Sequence, residues 1–409
     1  MSITFQRKNI LTYLISTFSL FVVGLILLSI VFPALIISNF GIHSNNLESF
    51  EVGNNSLAIL LSNLLVLAFV IAYYKNKLPL QLHKLISSIP KKQLSKKITL
   101  IVIFLILLPY TILTVPELFI DEASQAPDYE IFLAAKEIFP FGKTTFTEAT
   151  EQNDRYVRMI LLIASLEIFQ NVKIIPFIGS IALLIVTYFF TNEITKNRFA
   201  GIVSTLVLIQ SYTFLKYDTF AMYENFWVLF YVLSLYLIFK KFQISSISYA
   251  LSILTKAFTA IFLPLSIIFV YYSNLTTKTK LFLIISYGIM FGIIITIWSI
   301  DTSVYDNILR FDLQQIITAL SKTSYQIRFD LFLLALILPL SITLIIKARN
   351  GLHIATPILF LITGSIFSGA VVEMLSDHFV ILPYRFVPTI VFFAVGIGVL
   401  FSNKMEHES

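Results

Sequence analysis

The stretch "ITLIVIFLILLPYTILTVPELF" (98–119) runs nineteen residues before its first charged side chain, Glu117. A helix needs about 20 apolar residues to cross a hydrocarbon core about 30 Å thick. Runs of this kind recur near 11–38, 57–74, 99–119, 174–191, 199–215, 224–240, 281–299, 328–346, 353–372 and 385–402. Only 13% of the 409 residues are charged, against about 25% in a soluble domain. The expectation is therefore an all-α polytopic membrane protein. The polar/apolar alternation of an outer-membrane barrel is absent. The first apolar run is longer than a signal h-region and lacks a small-residue cleavage site. With no cysteine in the chain, disulfides, thiolate metal sites and cysteine nucleophiles are excluded.

Two apolar segments are ambiguous. Residues 157–170, "VRMILLIASLEIFQ", are short and carry Glu167, and residues 246–272 are interrupted by Lys256. Arg7, Lys8 and the 75–97 stretch with "KKQLSKK" are basic. If neither ambiguous segment crosses, Lys196, Arg198, Lys240, Lys241, Lys278, Lys280, Lys347 and Arg349 join them on the cytoplasmic side. That arrangement obeys the positive-inside rule best. It gives about ten full spans, at most 12, with both termini cytoplasmic in a plasma-membrane protein. Residues 1–98 read as two front helices and a basic cytoplasmic linker, and 99–409 as the functional core. The same topology places Asp121, Glu122, "KYDTFAMYEN" (216–225), the 300–327 loop and "EMLSDHF" (373–379) on the outer face.

The outer loop 120–156 holds Asp121, Glu122, Asp128, Glu130, Glu137, Glu148, Glu151 and Asp154, eight of the 23 acids in the chain. Asp128 and Glu130 open an apolar periodicity through Ile131, Phe132, Ala134, Ala135, Ile138 and Phe139, which predicts a short amphipathic surface helix. Asp121 and Glu122 have two readings, as caps on the preceding span or as reactive carboxylates. Asp218 and Glu224 are acids at another helix end. Lys256 is a lone cation in an apolar segment, which is either a snorkelling side chain or a functional charge facing an interior partner. His378, Tyr384 and Arg385 precede the last span. Arg155 and Arg158 close the acidic loop as anchors or anion contacts. Carboxylates can serve as a general base or hold a divalent metal, and cations can neutralise a leaving phosphate. No Gly-rich nucleotide loop and no basic patch with interleaved aromatics is present, so neither a nucleotide donor nor nucleic acid is expected.

In order along the chain, "FIDEASQAPDYEIFLAAKEIFPFG", "NVKIIPFIGSIALLIVTYFFTNEITKNRFAGIVSTLVLI", "YDTFAMYENFWVLFYVLSLYLIF", "LSILTKAFTAIFLP" and "ILPYRFVPTIVFF" resemble the GT-C superfamily of membrane glycosyltransferases. These enzymes use polyprenyl- or dolichyl-phosphate sugars, as in protein-mannosyltransferase-like and aminoarabinose-transferase-like proteins. The similarity covers about 99–402, although Tyr129 follows the acidic pair at a longer spacing than the family's D-E-x-x-x-Y. The resemblance implies a GT-C-like fold whose first large extracytoplasmic loop carries short surface helices. It implies Asp121 and Glu122 as catalytic carboxylates and Asp218 and Glu224 as secondary acids. Lys256, Arg385, Tyr384, His378 and Arg158 would bind the lipid-linked phosphate, with Mg or Mn as a candidate cofactor. The donor would be a polyprenyl-phosphate sugar, and the acceptor a protein, lipid or glycan. Two other readings stay open. One is a transporter or flippase for lipid-linked or anionic solutes, against which the scattered glycines and the lack of matched broken halves count. The other is a non-enzymatic membrane scaffold.

Overall fold

A computed structural model describes residues 3–32, 56–89, 93–126, 128–138, 156–300, 319, 323, 327–328, 330–375 and 382–402. Among the described residues the chain is helical and has no strand. Among the described residues seven helices are long and apolar enough to cross a membrane: Ile10–Val31, Ser56–Tyr74, Lys96–Phe119, Ile174–Thr195, Thr277–Thr296, Leu331–Arg349 and Ala355–Val372. The chain is thus a multi-pass integral membrane protein. Three other expected spans form shorter apolar helices, at Arg198–Ile209, Phe226–Lys240 and, after a 3-10 turn, Val387–Val399.

The ambiguous segments have distinct local causes. Residues Tyr156–Phe169 make a 14-residue helix, about 21 Å at 1.5 Å per residue, which is shorter than the hydrocarbon core. The 246–272 segment divides at Lys256, whose backbone is extended (φ −152°) between helix Ser245–Thr255 and the 3-10 turn Ala257–Phe262; helix Leu263–Tyr272 follows.

The chain forms two compact units. The first comprises 1–94, 194–213 and 309–409, so the front helices share a unit with the C-terminal ones. Helices Ile3–Val31 and Ser56–Tyr74 both pack on Leu331–Arg349. Pro339 sits inside that helix and lacks an N–H, so the carbonyl four residues earlier loses its donor. Ser62 Oγ donates to the Ala335 carbonyl at 3.4 Å. Asn63 completes the repair: its Nδ2 donates to the Leu334 carbonyl at 2.7 Å, and its Oδ1 accepts from Leu338 N at 3.3 Å. Asp330 caps the same helix through Leu333 N and also accepts from Ser211 Oγ (2.5 Å) and Thr213 N (3.3 Å), just beyond the end of helix Arg198–Ile209.

The second unit comprises 95–193 and 214–308. Its centre is an antiparallel pair, Phe226–Lys240 with Ser245–Thr255, joined by a 3-10 turn at Phe242–Ile244. Ser245, Ser248 and Ser252 recur along one helical face and donate to the carbonyls of Ser234, Phe230 and Trp227. Small polar residues let two backbones approach in the absence of water. Thr277–Ile300 packs on the second helix of this pair, as does Tyr156–Phe169. Helix Asp128–Ile138 forms where the periodicity predicts one, turning Phe132 and Ala135 inward against Met159, Leu162, Met222 and Phe226.

Candidate functional site

The acidic pair ends the Lys96–Phe119 span, where the helix tightens into a 3-10 turn, Val115–Phe119, begun by Pro116. Ile120 and Asp121 are extended, and the one-turn helix Glu122–Gln125 follows. Asp121 caps that turn: its Oδ1 accepts from Ala123 N at 3.2 Å, and its carbonyl accepts from Ser124 Oγ at 2.7 Å. The Asp121 residue is exposed. Glu122 is the first residue inside the turn and points into the protein, only 3% exposed. The two adjacent carboxylates therefore occupy different environments. The cap read from the sequence concerned the preceding span, whereas Asp121 caps the turn that follows it.

Glu122 is pinned from two directions. Its Oε1 accepts from the backbone N–H groups of Ala221 (3.1 Å) and Met222 (3.0 Å), and its Oε2 lies 3.4 Å from Lys173 Nζ. Lys173 sits at the start of helix Ile174–Thr195 and is 1% exposed. Its ammonium also donates to Gln125 Oε1 at 2.5 Å and the Glu117 carbonyl at 3.4 Å, and lies 5.7 Å from the Phe220 ring centroid. An ammonium has three donors, and these contacts supply the polar surroundings that a buried cation requires.

The segment between helices, "YDTFAMYEN" (217–225), is the hub. Beside the amides that hold Glu122, the Met222 carbonyl accepts from Arg158 Nη2 at 2.9 Å. Arg158 Nε lies 3.3 Å from Glu224 Oε2, both side chains being nearly inaccessible. Thr219 Oγ1 donates to Glu117 Oε2 at 3.3 Å. Asn225 Nδ2 donates to Ser180 Oγ (3.1 Å), which donates to the Asp218 carbonyl (2.8 Å).

Asp218, 1% exposed, accepts from Tyr110 Oη at 2.7 Å on one oxygen, and its other oxygen has no hydrogen-bond partner among the described residues. Burial drives its carboxyl from the usual 3.8 up to about 8, opposed by the Tyr110 hydrogen bond and reinforced by the nearby Glu117 charge. Within the network Glu122 faces Lys173 and Glu224 faces Arg158.

The structure thus brings four of the expected residues, Glu122, Arg158, Asp218 and Glu224, into one connected network. Arg158, expected as a phosphate contact, is instead engaged by Glu224 and the Met222 carbonyl. Lys256 is 6% exposed at the helix break, with its ammonium 5.5 Å from the Trp227 ring centroid, and Trp227 packs against Phe258 and Phe262. Tyr384 and Arg385 belong to the first unit, on the 3-10 turn Pro383–Phe386, where Arg385 Nε donates to Tyr384 Oη at 3.3 Å. His378, Arg155, Glu148, Glu151, Asp154 and most of the 300–327 loop lie outside the described residues.

Sequence reasoning did not single out Lys173, Tyr110, Glu117 or Gln125. A signal for Lys173 existed, since it is a lone cation before "IIPFIGSIALL" and open to the same argument as Lys256. Among the described residues no three carboxylate or histidine side chains converge as a metal-binding set. What the arrangement offers chemically is one exposed carboxylate, Asp121, on a backbone turn clamped by its buried neighbour. Compared with protein-family models, curated proteins and solved structures, the chain gives no match.

Proposed function

We propose that the protein is a GT-C-like glycosyltransferase. It would move a sugar from a polyprenyl-phosphate carrier to a protein, lipid or glycan acceptor on the extracytoplasmic face of the cell membrane, with both termini cytoplasmic. The observation that carries this reading is the split of the acidic pair. Glu122 is buried and clamped by two amides and Lys173, while Asp121 stays exposed on the adjoining turn at the end of a span. A reacting group must be held within about 3.5 Å of its substrate atom in a fixed orientation, and a clamped neighbour supplies that rigidity.

In this reading Asp121 accepts the proton of an acceptor hydroxyl as its oxygen bonds to the anomeric carbon. The bond from that carbon to the phosphate oxygen breaks, and the polyprenyl phosphate leaves as the anion. Lys256, buried beside Trp227, is the proposed electrostatic partner of that phosphate. Arg158 and Lys173, held in ion pairs, keep the Asp121 turn and the 217–225 segment in register.

One observation favours a second reading. The element broken at Lys256 resembles the discontinuous helices on which transporters place ion and substrate sites, and the buried charges would then be gating groups. Purified protein in vesicles with a labelled polyprenyl-phosphate sugar separates the two. Label on an acceptor supports the transferase, whereas translocation of the intact carrier without transfer removes it in favour of the transporter.

A further inference from the structure

The span Ser56–Tyr74 ends in a tight reversal. Asn76 adopts a left-handed backbone (φ 53°), and the N–H groups of Lys75 and Lys77 bond back to the Ile71 and Ala72 carbonyls. Three residues later the nine-residue helix Leu80–Ser88 begins, and none of its residues is buried. At about 1.5 Å per residue it is far too short to cross a bilayer. The His83 ring stacks on Tyr73 of the span's last turn, centroids 4.9 Å apart and planes 19° from parallel. That contact ties the helix to the end of the span, where a bilayer meets water and amphipathic rings collect.

At 100° per residue, Leu82, Leu85, Ile86 and Ile89 share one side, and Leu82 and Leu85 are exposed. Gln81, Lys84 and Ser88 lie away from that side and are exposed too. Lys75, Lys77, Lys84, Lys91, Lys92, Lys96 and Lys97 occur within this stretch of sequence, and no acidic residue occurs between Glu51 and Glu117. Lys75, Lys77 and Lys84 are exposed.

We propose that helix Leu80–Ser88 lies in the membrane plane as an interfacial element, its Leu82/Leu85 side in the acyl boundary, with Lys75, Lys77 and Lys84 recruiting anionic phospholipid headgroups. The helix has an exposed apolar side, a location fixed at a span's end and uniformly positive flanks, which together match an anionic lipid surface. A second protein is disfavoured as occupant because this stretch offers no acidic residue for a mixed-charge interface.

The absence of cysteine makes the test direct. Single spin labels go at Leu82→Cys and Ser88→Cys, with Leu61→Cys, exposed on the span itself, as the lipid-facing reference. The full-length protein is reconstituted in phosphatidylcholine vesicles with and without phosphatidylglycerol. The label at 82 is expected to meet dissolved oxygen more than a water-soluble nickel chelate, as at 61, and the label at 88 the reverse. Retention of phosphatidylglycerol over phosphatidylcholine on delipidation is expected to fall about fivefold per lysine in the Lys75→Gln, Lys77→Gln, Lys84→Gln variant. Labels at 82 and 88 equally open to the chelate would overturn the proposal. So would a label at 82 that is immobile and reached by neither reagent, which would mean a protein cover. Unchanged lipid selectivity in the triple variant, with the label at 61 unaltered, would overturn the anionic-lipid part.

Discussion

Lys173→Met tests the clamp beneath the acidic pair. The substitution keeps the aliphatic stem and deletes the ammonium, which lies 3.4 Å from Glu122 Oε2, 2.5 Å from Gln125 Oε1 and 3.4 Å from the Glu117 carbonyl. Removing one member of a buried pair costs about 3–5 kcal/mol, because a charge stays behind without its counter-ion. Glu122 keeps its two amide donors at 3.1 and 3.0 Å, and bonds of that kind to a charged acceptor contribute about 1.5–3 kcal/mol each. The expected loss therefore sits at the low end, about 3 kcal/mol. Unfolding in mixed micelles, followed by far-ultraviolet circular dichroism as a denaturing surfactant is added, reads it. Glu122→Gln preserves an oxygen acceptor for the amides and removes the charge, so the Glu122→Gln/Lys173→Met double variant is expected to recover at least about 1 kcal/mol of the summed loss. Single-variant effects that add within about 0.5 kcal/mol would refute the ion pair as the coupling between the acidic turn and helix Ile174–Thr195.

Three further outcomes follow from other parts of the second unit. Asp218 has its folded pKa raised from 3.8 to about 8, so its stabilising contribution is fully present below about pH 4 and is lost as pH rises through about 8. Unfolding measured across that window should show this fall in the native protein and not in Asp218→Asn. A Cβ on Gly179 would meet Phe226 ring carbons at 2.7 and 2.8 Å, and that ring is buried. Gly179→Ala should accordingly cost about 1–3 kcal/mol by overpacking in the same surfactant titration. Lys256→Met should raise the apparent KM for the polyprenyl-phosphate donor about 10- to 100-fold through loss of a charge-assisted contact, as steady-state kinetics would read, while the folded yield is kept.

Much of this architecture can be read from hydropathy, because a lipid-facing helix needs a long apolar run whatever its neighbours are. Helix Asp128–Ile138 follows from its periodicity, and the break at Lys256 from a cation that an unbroken apolar helix would bury. The ends of helices are less legible. Arg198–Ile209 stops short of the 199–215 run, where Asp330 engages Ser211 and Thr213, a contact 119 residues away in sequence for Ser211. The repair of the Pro339 gap by Ser62 and Asn63 is equally remote.

Within the site, the location of the acidic pair was legible and its division of labour was not. Aspartate and glutamate side by side carry the same charge, and the amides of Ala221 and Met222 together with Lys173, all remote in sequence, engage the second of them. Arg158 shows the same difficulty. Its type suits a phosphate, but Glu224, 66 positions further on, engages it. Lys173 carries a weaker signal in the sequence, since a lysine at the edge of an apolar run is ordinarily a snorkelling anchor.

The central claim is that Asp121 reacts while Glu122 holds it, and paired measurement of sugar transfer and stability in Asp121→Asn and Glu122→Gln tests it most directly. The account predicts that Asp121→Asn abolishes transfer from a labelled polyprenyl-phosphate sugar while its unfolding curve stays within about 1 kcal/mol of the parent, the scale of a helix cap. Glu122→Gln should instead lose stability by a few kcal/mol. Full transfer by Asp121→Asn, or a Glu122→Gln protein as stable as its parent, would contradict it.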